Sequence, residues 1–305
     1  MKKVKYFYVF LGIILLSILF YIYKAYFIID KNEDSWTVGY GNINNLEDID
    51  SIIEKKLLIK DIQSDSTFNF IADPFIFKDS TGIYVFVEQF IKKNGDISVF
   101  YSKDTINVKF KYLGIVLDED FHLSYPQVFA YNKHIYMLPE TQKSGKVILY
   151  KSVKFPLTWE KCRVLLKYDN IKDPTLLQHN SKIYLFGCQK GKLYCWISDN
   201  LFSDFKRIDK VLLLGTESRP GGRIFKYDNK IIMPIQNSSK GYGSGLSLYE
   251  IIIDGNDNIK MKPYKRWFLK PHEKSIYFSH GMHHFDVINL NSNLFVVYDG
   301  KKNKQ

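Results

Sequence analysis

Eleven polar side chains between residues 73 and 286 stand at or beside the ends of strand-like segments that recur along the chain: Asp73, Glu88, Glu140, Asp173, Glu217, Arg219, Arg223, His280, His283, His284 and Asp286. If those ends meet, the set suits sugar chemistry. One carboxyl group would activate water or attack, and another, kept protonated, would donate to the leaving oxygen. Asp73, Asp173, Glu217 and Glu140 are the candidates for those roles, and Tyr125, Arg219, Arg223, His283, His284, Glu88 and Gln236 are candidates for holding the substrate. Each has a structural alternative. Asp-Pro at residues 73–74 and 173–174 can simply fix a turn. Arg219 and Arg223, flanking Gly221-Gly222, can grip a phosphate or carboxylate or tie one repeat to its neighbours. Glu88 and Glu140 can bond the amides of an adjacent repeat, the reading favoured for Glu88. The His280, His283 and His284 cluster lacks an evident carboxylate partner, so it reads as a hydrogen-bonding lining, and no metal or other cofactor is expected.

These residues can meet only if the segments repeat in three dimensions. Ala72-Asp73-Pro74-Phe75-Ile76-Phe77 is followed, after a polar turn, by Ile83-Tyr84-Val85-Phe86-Val87-Glu88. Ser124-Tyr125-Pro126-Gln127 leads likewise to Ile135-Tyr136, and Lys172-Asp173-Pro174-Thr175 leads to Ile183-Tyr184. In all three the proline and the Ile-Tyr pair are nine residues apart. A fourth copy around Pro220 carries two extra residues, and a fifth at His283-His284-Phe285 has lost the proline. The anchors Ile83, Ile135, Ile183, Ile231 and Leu294 are spaced 52, 48, 48 and 63 residues apart. A strand-like repeat of roughly 40 to 50 residues is the mark of a β-propeller with one blade per repeat. The expected fold is therefore all-β, a five-bladed β-propeller over residues 35–305, with an N-terminal transmembrane helix.

In such a fold the residues just before each first strand and just after each second strand crowd one rim. Glycines 95, 145, 191 and 245 open a third strand by way of a tight hairpin in four repeats, and outer strands are expected at 109–115, 159–165, 205–212 and 260–267. Residues 35–42 read as the strand that closes the ring on the fifth blade. Residues 46–62 have weak helical spacing.

Residues 1–5 are a short basic tip, and Tyr6 through Tyr23 is an uncharged, mostly apolar run resumed through Ile29. That length suffices to cross a bilayer. No small-residue cleavage site follows, so residues 6–29 read as an uncleaved signal anchor with 30–34 as linker. Lys2, Lys3 and Lys5 outweigh Lys24 and Lys31, which puts the N-terminus in the cytoplasm and the propeller outside it. A single-pass membrane protein is expected.

The formal charge is +11, but only five of 43 basic residues are arginine and the lysines are scattered. There is no basic aromatic motif of the kind that stacks bases, so nucleic acid is not an expected partner. Cys162, Cys188 and Cys195 show no metal-ligand spacing; Cys188 and Cys195 read as free buried thiols.

Ala72-Asp73-Pro74 and Asp173-Pro174 resemble the blade starts of the five-bladed propellers of glycoside hydrolase family 43. That resemblance implies Asp73 as general base, Asp173 as orienting residue and Glu217 as acid, with inversion and roughly 6.5 to 9.5 Å between base and acid. Where those hydrolases carry Glu-Gly-Pro this chain reads Glu217-Ser218-Arg219-Pro220, so Glu140 competes for the acid role. A fuller string is similar to the N-terminal domain of plant glucosamine inositolphosphorylceramide transferases and their bacterial counterparts. It comprises Ala72-Asp73-Pro74-Phe75, Ser124-Tyr125-Pro126-Gln127-Val128-Phe129, Leu138-Pro139-Glu140, Arg219-Pro220-Gly221-Gly222-Arg223 and His283-His284. In the plant proteins a separate glycosyltransferase domain follows, so this resemblance does not bring transferase activity with it and implies a glycosyltransferase as partner.

Together these readings give a carbohydrate or glycolipid substrate at the cell surface, with glycosidic-bond hydrolysis or transfer. The alternative is a non-catalytic glycan-binding or accessory module in surface-polysaccharide assembly.

Overall fold

The computed structural model describes residues 16–17, 36–55, 59, 70–91, 94–167, 170–273, 275, 277–290 and 293–301. Residues 1–34 and 35–305 are separate compact units. The anchor expected over residues 6–29 lies outside the described residues except for Leu16 and Ser17, which are helical. The tip at 1–5 and the linker at 30–34 lie outside them too. Among the described residues no helix is long and apolar enough to cross a membrane.

The second unit is an all-β, five-bladed propeller. After β1 (Trp36–Ile43) and a short helix α1 (Ile49–Lys55), blade one is β2 (Phe70–Lys78), β3 (Ile83–Ile91), β4 (Asn94–Ser102) and β5 (Lys111–Leu117). Blade two is β6 (Ser124–Tyr131), β7 (His134–Glu140), β8 (Val147–Lys154) and β9 (Thr158–Leu166). Blade three is β10 (Lys172–His179), β11 (Lys182–Gln189) and β12 (Lys192–Ser198), edged by β13 (Lys206–Arg207) and β14 (Leu213–Leu214). Its outer strand, expected as one piece over 205–212, is thus two short pieces on β12. Blade four is β15 (Arg219–Pro220), β16 (Phe225–Tyr227), β17 (Lys230–Gln236), β18 (Leu246–Ile253) and β19 (Ile259–Leu269). Blade five is β20 (Phe285–Leu290) and β21 (Asn293–Lys301), completed by β1, which runs antiparallel to β21 from Trp36↔Lys301 to Ile43↔Leu294. Pairing the two ends of the ring removes the open edge.

Apolar residues fill the space between every pair of neighbouring blades. Phe86 and Val99 of blade one meet Val128 and Met137 of blade two; Leu138 and Leu149 meet Leu176 and Trp196 of blade three. Phe186 and Leu193 meet Met233 and Ile235 of blade four; Ile232 and Leu248 meet Phe285 and Val296 of blade five; Phe295 and Val297 meet Val85 and Val87 of blade one. With both faces of each blade covered, Ile83 through Val87 is an unbroken buried run rather than an alternating one. Each such side chain contributes about 1.5–3 kcal/mol. Helix α1 buries Ile49, Ile52 and Ile53, one helical stripe, in the layer between blades four and five.

The first strands carry the local device that shapes the rim. Asp73, Tyr125 and Asp173 adopt left-handed backbone (φ 51°, 52° and 49°) immediately before a proline. Each coincides with a break in register, between Ala72 and Phe75, Ser124 and Gln127, and Lys172 and Thr175. A left-handed L-residue costs about 1–2 kcal/mol, so something must hold all three. In blade four the insertion replaces this bulge. Gly222 (φ 147°) passes so close to Phe285 that a Cβ would lie 1.8 Å from its carbonyl oxygen.

Candidate active site

The left-handed turn at Asp73 aims its backbone N–H at the last blade, where Asp299 Oδ2 accepts it at 3.1 Å. Asp299 Oδ1 accepts the backbone N–H groups of His283 (3.1 Å) and His284 (3.0 Å) and lies 2.8 Å from His283 Nδ1. His283 Nε2 is 2.9 Å from the Tyr242 hydroxyl and 3.8 Å from Asp73 Oδ1, and its ring stacks on Trp36 at 4.1 Å. His284 Nδ1 lies 3.6 Å from the same Asp73 oxygen. Burial alone would raise the Asp73 carboxyl, but His284, His283 and Arg219 together hold it down at about 2. His283 is also displaced: burial pushes it down, and the Asp299 carboxylate more than offsets this and raises it.

Blades two to four build the other half of the rim. The left-handed Asp173 gives its N–H to Glu140 Oε2 at 2.8 Å. Its carboxylate receives Arg219 in bidentate fashion, through Nη2 at 3.0 Å and through Nε, and Gln236 Nε2 at 3.0 Å. Arg219 Nη2 lies 3.7 Å from Glu140 Oε2. Burial and the Asp173 charge push the Glu140 carboxyl up to about 8, against the pull of Arg219. Glu88 is raised well above the usual range, by burial first and then by Asp73 and Glu140. On one buried rim, therefore, Asp73 is held low while Glu140 and Glu88 are pushed up.

Not every residue expected there joins it. Glu217 is drawn towards the outer strands of its own blade. Its Oε1 accepts Asn237 Nδ2 (2.8 Å) and Ser247 Oγ (2.6 Å), and its Oε2 accepts the Tyr249 hydroxyl (2.6 Å) and Arg266 Nη1. Four donors occupy its two oxygens, which leaves neither turned to a leaving group. Arg223 pins three blades together, through Val128 O (3.0 Å), Ile76 O (2.8 Å) and the fully buried Asp286 (3.1 Å). Tyr125 is fully buried, and its hydroxyl joins Thr175 (2.9 Å), Gly222 O (3.0 Å) and Gly222 N–H (2.8 Å). His280 is exposed, its backbone N–H bonded to Lys301 O. The amide-capping arrangement favoured for Glu88 is found instead at Glu140 and Asp299.

Asp73, His283 and Asp299 each turn one ligand-type atom into a space within 4.8 Å. Both His283 ring nitrogens are already hydrogen-bonded, so Asp299, His283 and Tyr242 form a chain that passes beside the Asp73 carboxylate. Tyr242, Trp36 and His122 were not legible as rim residues, since loops and the closing strand deliver them. Tyr242 keeps 58% of its surface exposed above Arg219, whose guanidinium lies 5.5 Å from its ring centre.

Residues 57–301 match the family model described as glucosamine inositolphosphorylceramide transferase 1, N-terminal. The chain belongs to this family. A relative of the same name from Arabidopsis thaliana is 33% identical over 251 residues, which is 77% of this chain and 32% of the relative. The chain thus spans about a third of that curated relative's length. This chain shares its fold with glycoside hydrolases of known structure. The catalytic domain of the Coprinopsis cinerea family-62 α-L-arabinofuranosidase superposes with a TM-score of 0.63 at 13% identity, covering 89% of this chain and 92% of that one. A thermostable family-43 glycoside hydrolase matches at 0.53 and 11%, covering 64% and 76%.

Proposed function

We propose that the propeller acts on a carbohydrate, hydrolysing or transferring a glycosidic bond at the rim. Asp73 is the base that takes a proton from water or from an acceptor hydroxyl, and a buried carboxyl, Glu140 or Glu88, is the acid that protonates the leaving oxygen. The observation that carries this reading is a single buried rim on which Asp73 lies 3.8 Å from His283 and 3.6 Å from His284 while Glu140 lies against Asp173 and Arg219, surroundings that hold the first carboxyl low and push the second up. Carboxyls driven apart in this way are what acid–base chemistry at neutral pH needs. Asp173 and Arg219 orient, and Tyr242 offers an exposed aromatic face to a sugar ring. Residues 6–29 anchor the chain in a membrane with the propeller outside the cytoplasm, and the substrate is the glycan of a surface polysaccharide or a glycolipid. The names of the relatives, which mention glucosamine and inositolphosphorylceramide, and of the arabinofuranosidase support a carbohydrate or glycolipid substrate. A glycosyltransferase partner would supply any transfer the propeller itself lacks.

The test is a screen of the full-length chain against aryl glycosides, oligosaccharides and glycolipids, with Asp73→Asn as control. Turnover lost in the control supports the assignment; equal turnover removes Asp73 from it. A non-catalytic glycan-binding module is the second reading. It draws support from the four-donor saturation of Glu217, the position expected to hold the acid. Saturable binding without turnover would select it.

A further inference from the structure

We propose that Glu88 is the proton donor of this site and that His122, on the connection from blade one to blade two, is the residue that positions it. The assignment rests on the catalytic reading above and chooses between its two acids.

Register sets Glu88 apart. Glu88 pairs with Ala72 and Glu140 with Ser124, each directly before a left-handed residue. Asp299 caps the Asp73 amide and Glu140 caps the Asp173 amide. Glu88 stands where it would cap Tyr125 in the same way, yet among the described residues its polar contact is His122, with Nε2 at 3.3 Å from Oε1. Glu140 is fastened by Asp173 and approached by Arg219. Among the described residues, Glu88 is the rim carboxyl without a hydrogen bond to the next blade.

The protonation of His122 follows from its other nitrogen. The Gly95 N–H donates to Nδ1 at 3.1 Å, so the ring proton sits on Nε2, the nitrogen that lies 3.3 Å from Glu88 Oε1. Burial lowers the His122 pKa and keeps the ring neutral. Gly95 is required for this docking: a Cβ there would lie 2.6 Å from His122 Cε1 and 2.6 Å from Leu123 O, while the Leu123 N–H bonds Gly95 O at 2.8 Å. Oε1 is the oxygen that faces the His122 N–H, which leaves Oε2 as the one assigned the proton that moves. The groups facing Glu88 are Asp73, Glu140, Asp299, Arg219 and His122, and those facing His122 include Lys143. In the reaction the oxygen of water, or of an acceptor hydroxyl, bonds to the anomeric carbon and gives its proton to Asp73. The glycosidic C–O bond breaks, and its oxygen takes the proton of Glu88. The His122 N–H bonds the resulting carboxylate more strongly than the acid it replaces.

The experiment is a carboxyl titration of the full-length chain carrying 13C-labelled glutamate, read by infrared difference spectroscopy without substrate, with Glu88→Gln identifying the band. His122→Phe keeps a ring but removes the N–H, and should raise the Glu88 midpoint by about one unit, tenfold in proton affinity. His122→Gln, which retains an N–H donor, should restore most of the shift. Where turnover is measurable, the basic limb of its pH profile should move with the midpoint. An unmoved midpoint in His122→Phe, with folding verified by thermal unfolding, overturns the positioning role. Turnover in Glu88→Gln equal to wild type overturns the donor role. Failure of the wild-type chain to turn over any glycoside would remove the catalytic reading, an outcome distinct from an unmoved midpoint.

Discussion

Asp299 accepts the backbone N–H of Asp73 across 226 residues of sequence, joining the last blade to the first at the point where the candidate base is held. The same carboxylate takes two further amides and the His283 ring. Closure of the ring and preparation of the site are therefore one set of bonds. Asp299→Ala leaves three buried N–H donors and His283 without their acceptor and should destabilise by about 3–5 kcal/mol. Asp299→Asn, which keeps one acceptor oxygen, should lose less. Denaturant midpoints of the two variants decide this; equal losses would deny the carboxylate its role.

Asp73→Asn separates chemistry from architecture. The backbone N–H that bonds Asp299 is retained, and Asn tolerates the left-handed turn, so the fold should persist. Turnover should fall by at least about a hundredfold, the usual share of a general base, with sugar affinity little altered. Progress curves and equilibrium binding on the same preparation measure both, and a proportional loss of affinity would indicate a binding role.

The titration shifts fix the direction of pH dependence. Glu140 is raised to about 8 in the folded chain, so its contribution is fully present below its unfolded value of 4.5 and is lost as pH rises through about 8. His283, also raised, loses its contribution in the same direction, from its unfolded value of 6.5 upwards. Asp73, depressed to about 2, acts oppositely and loses its contribution as pH falls from 3.8 through about 2. Thermal midpoints should therefore decline from about pH 5 to pH 9, and Glu140→Gln should flatten that decline. A variant as pH-sensitive as wild type would show that Glu140 ionises normally.

What the sequence disclosed of this rim is what the repeat carries in its own spacing. Proline and Ile-Tyr landmarks nine residues apart fix each hairpin and, with it, Asp73, Glu88, Glu140 and Asp173 at equivalent places. Residues delivered by connections have no such register. Tyr242 arrives on a loop held by the Ser238 and Met282 amides, and His122 is seated by a missing Cβ at Gly95. Glycine there reads as a hairpin signal, yet Gly95 lies inside β4. Glu217 turns to its own blade for a related reason. Its fate depends on Tyr249 and Arg266, strand residues whose side-chain direction follows from register breaks in β18 and β19 that no local pattern announces.

Arg223 tests whether a rim-ward arginine serves the ligand or the ring. Its guanidinium spans Ile76 O, Val128 O and Asp286, thereby linking blades one, two and five from blade four. A lysine cannot reproduce three directions at once, since it offers a point charge rather than a planar fork. Arg223→Lys should therefore lower stability by about 2–4 kcal/mol, because the charge is kept but buried acceptors among Asp286, Ile76 O and Val128 O lose their donors. Sugar affinity, measured where the variant remains folded, should stay within about twofold of wild type, since less than 1 kcal/mol separates affinities that close. Arg219→Lys should do the reverse in part, because Asp173 and Glu140 at the rim rely on that guanidinium. If Arg223→Lys instead abolishes binding at unchanged stability, the axis of the ring is open to ligand and Arg223 belongs to the site.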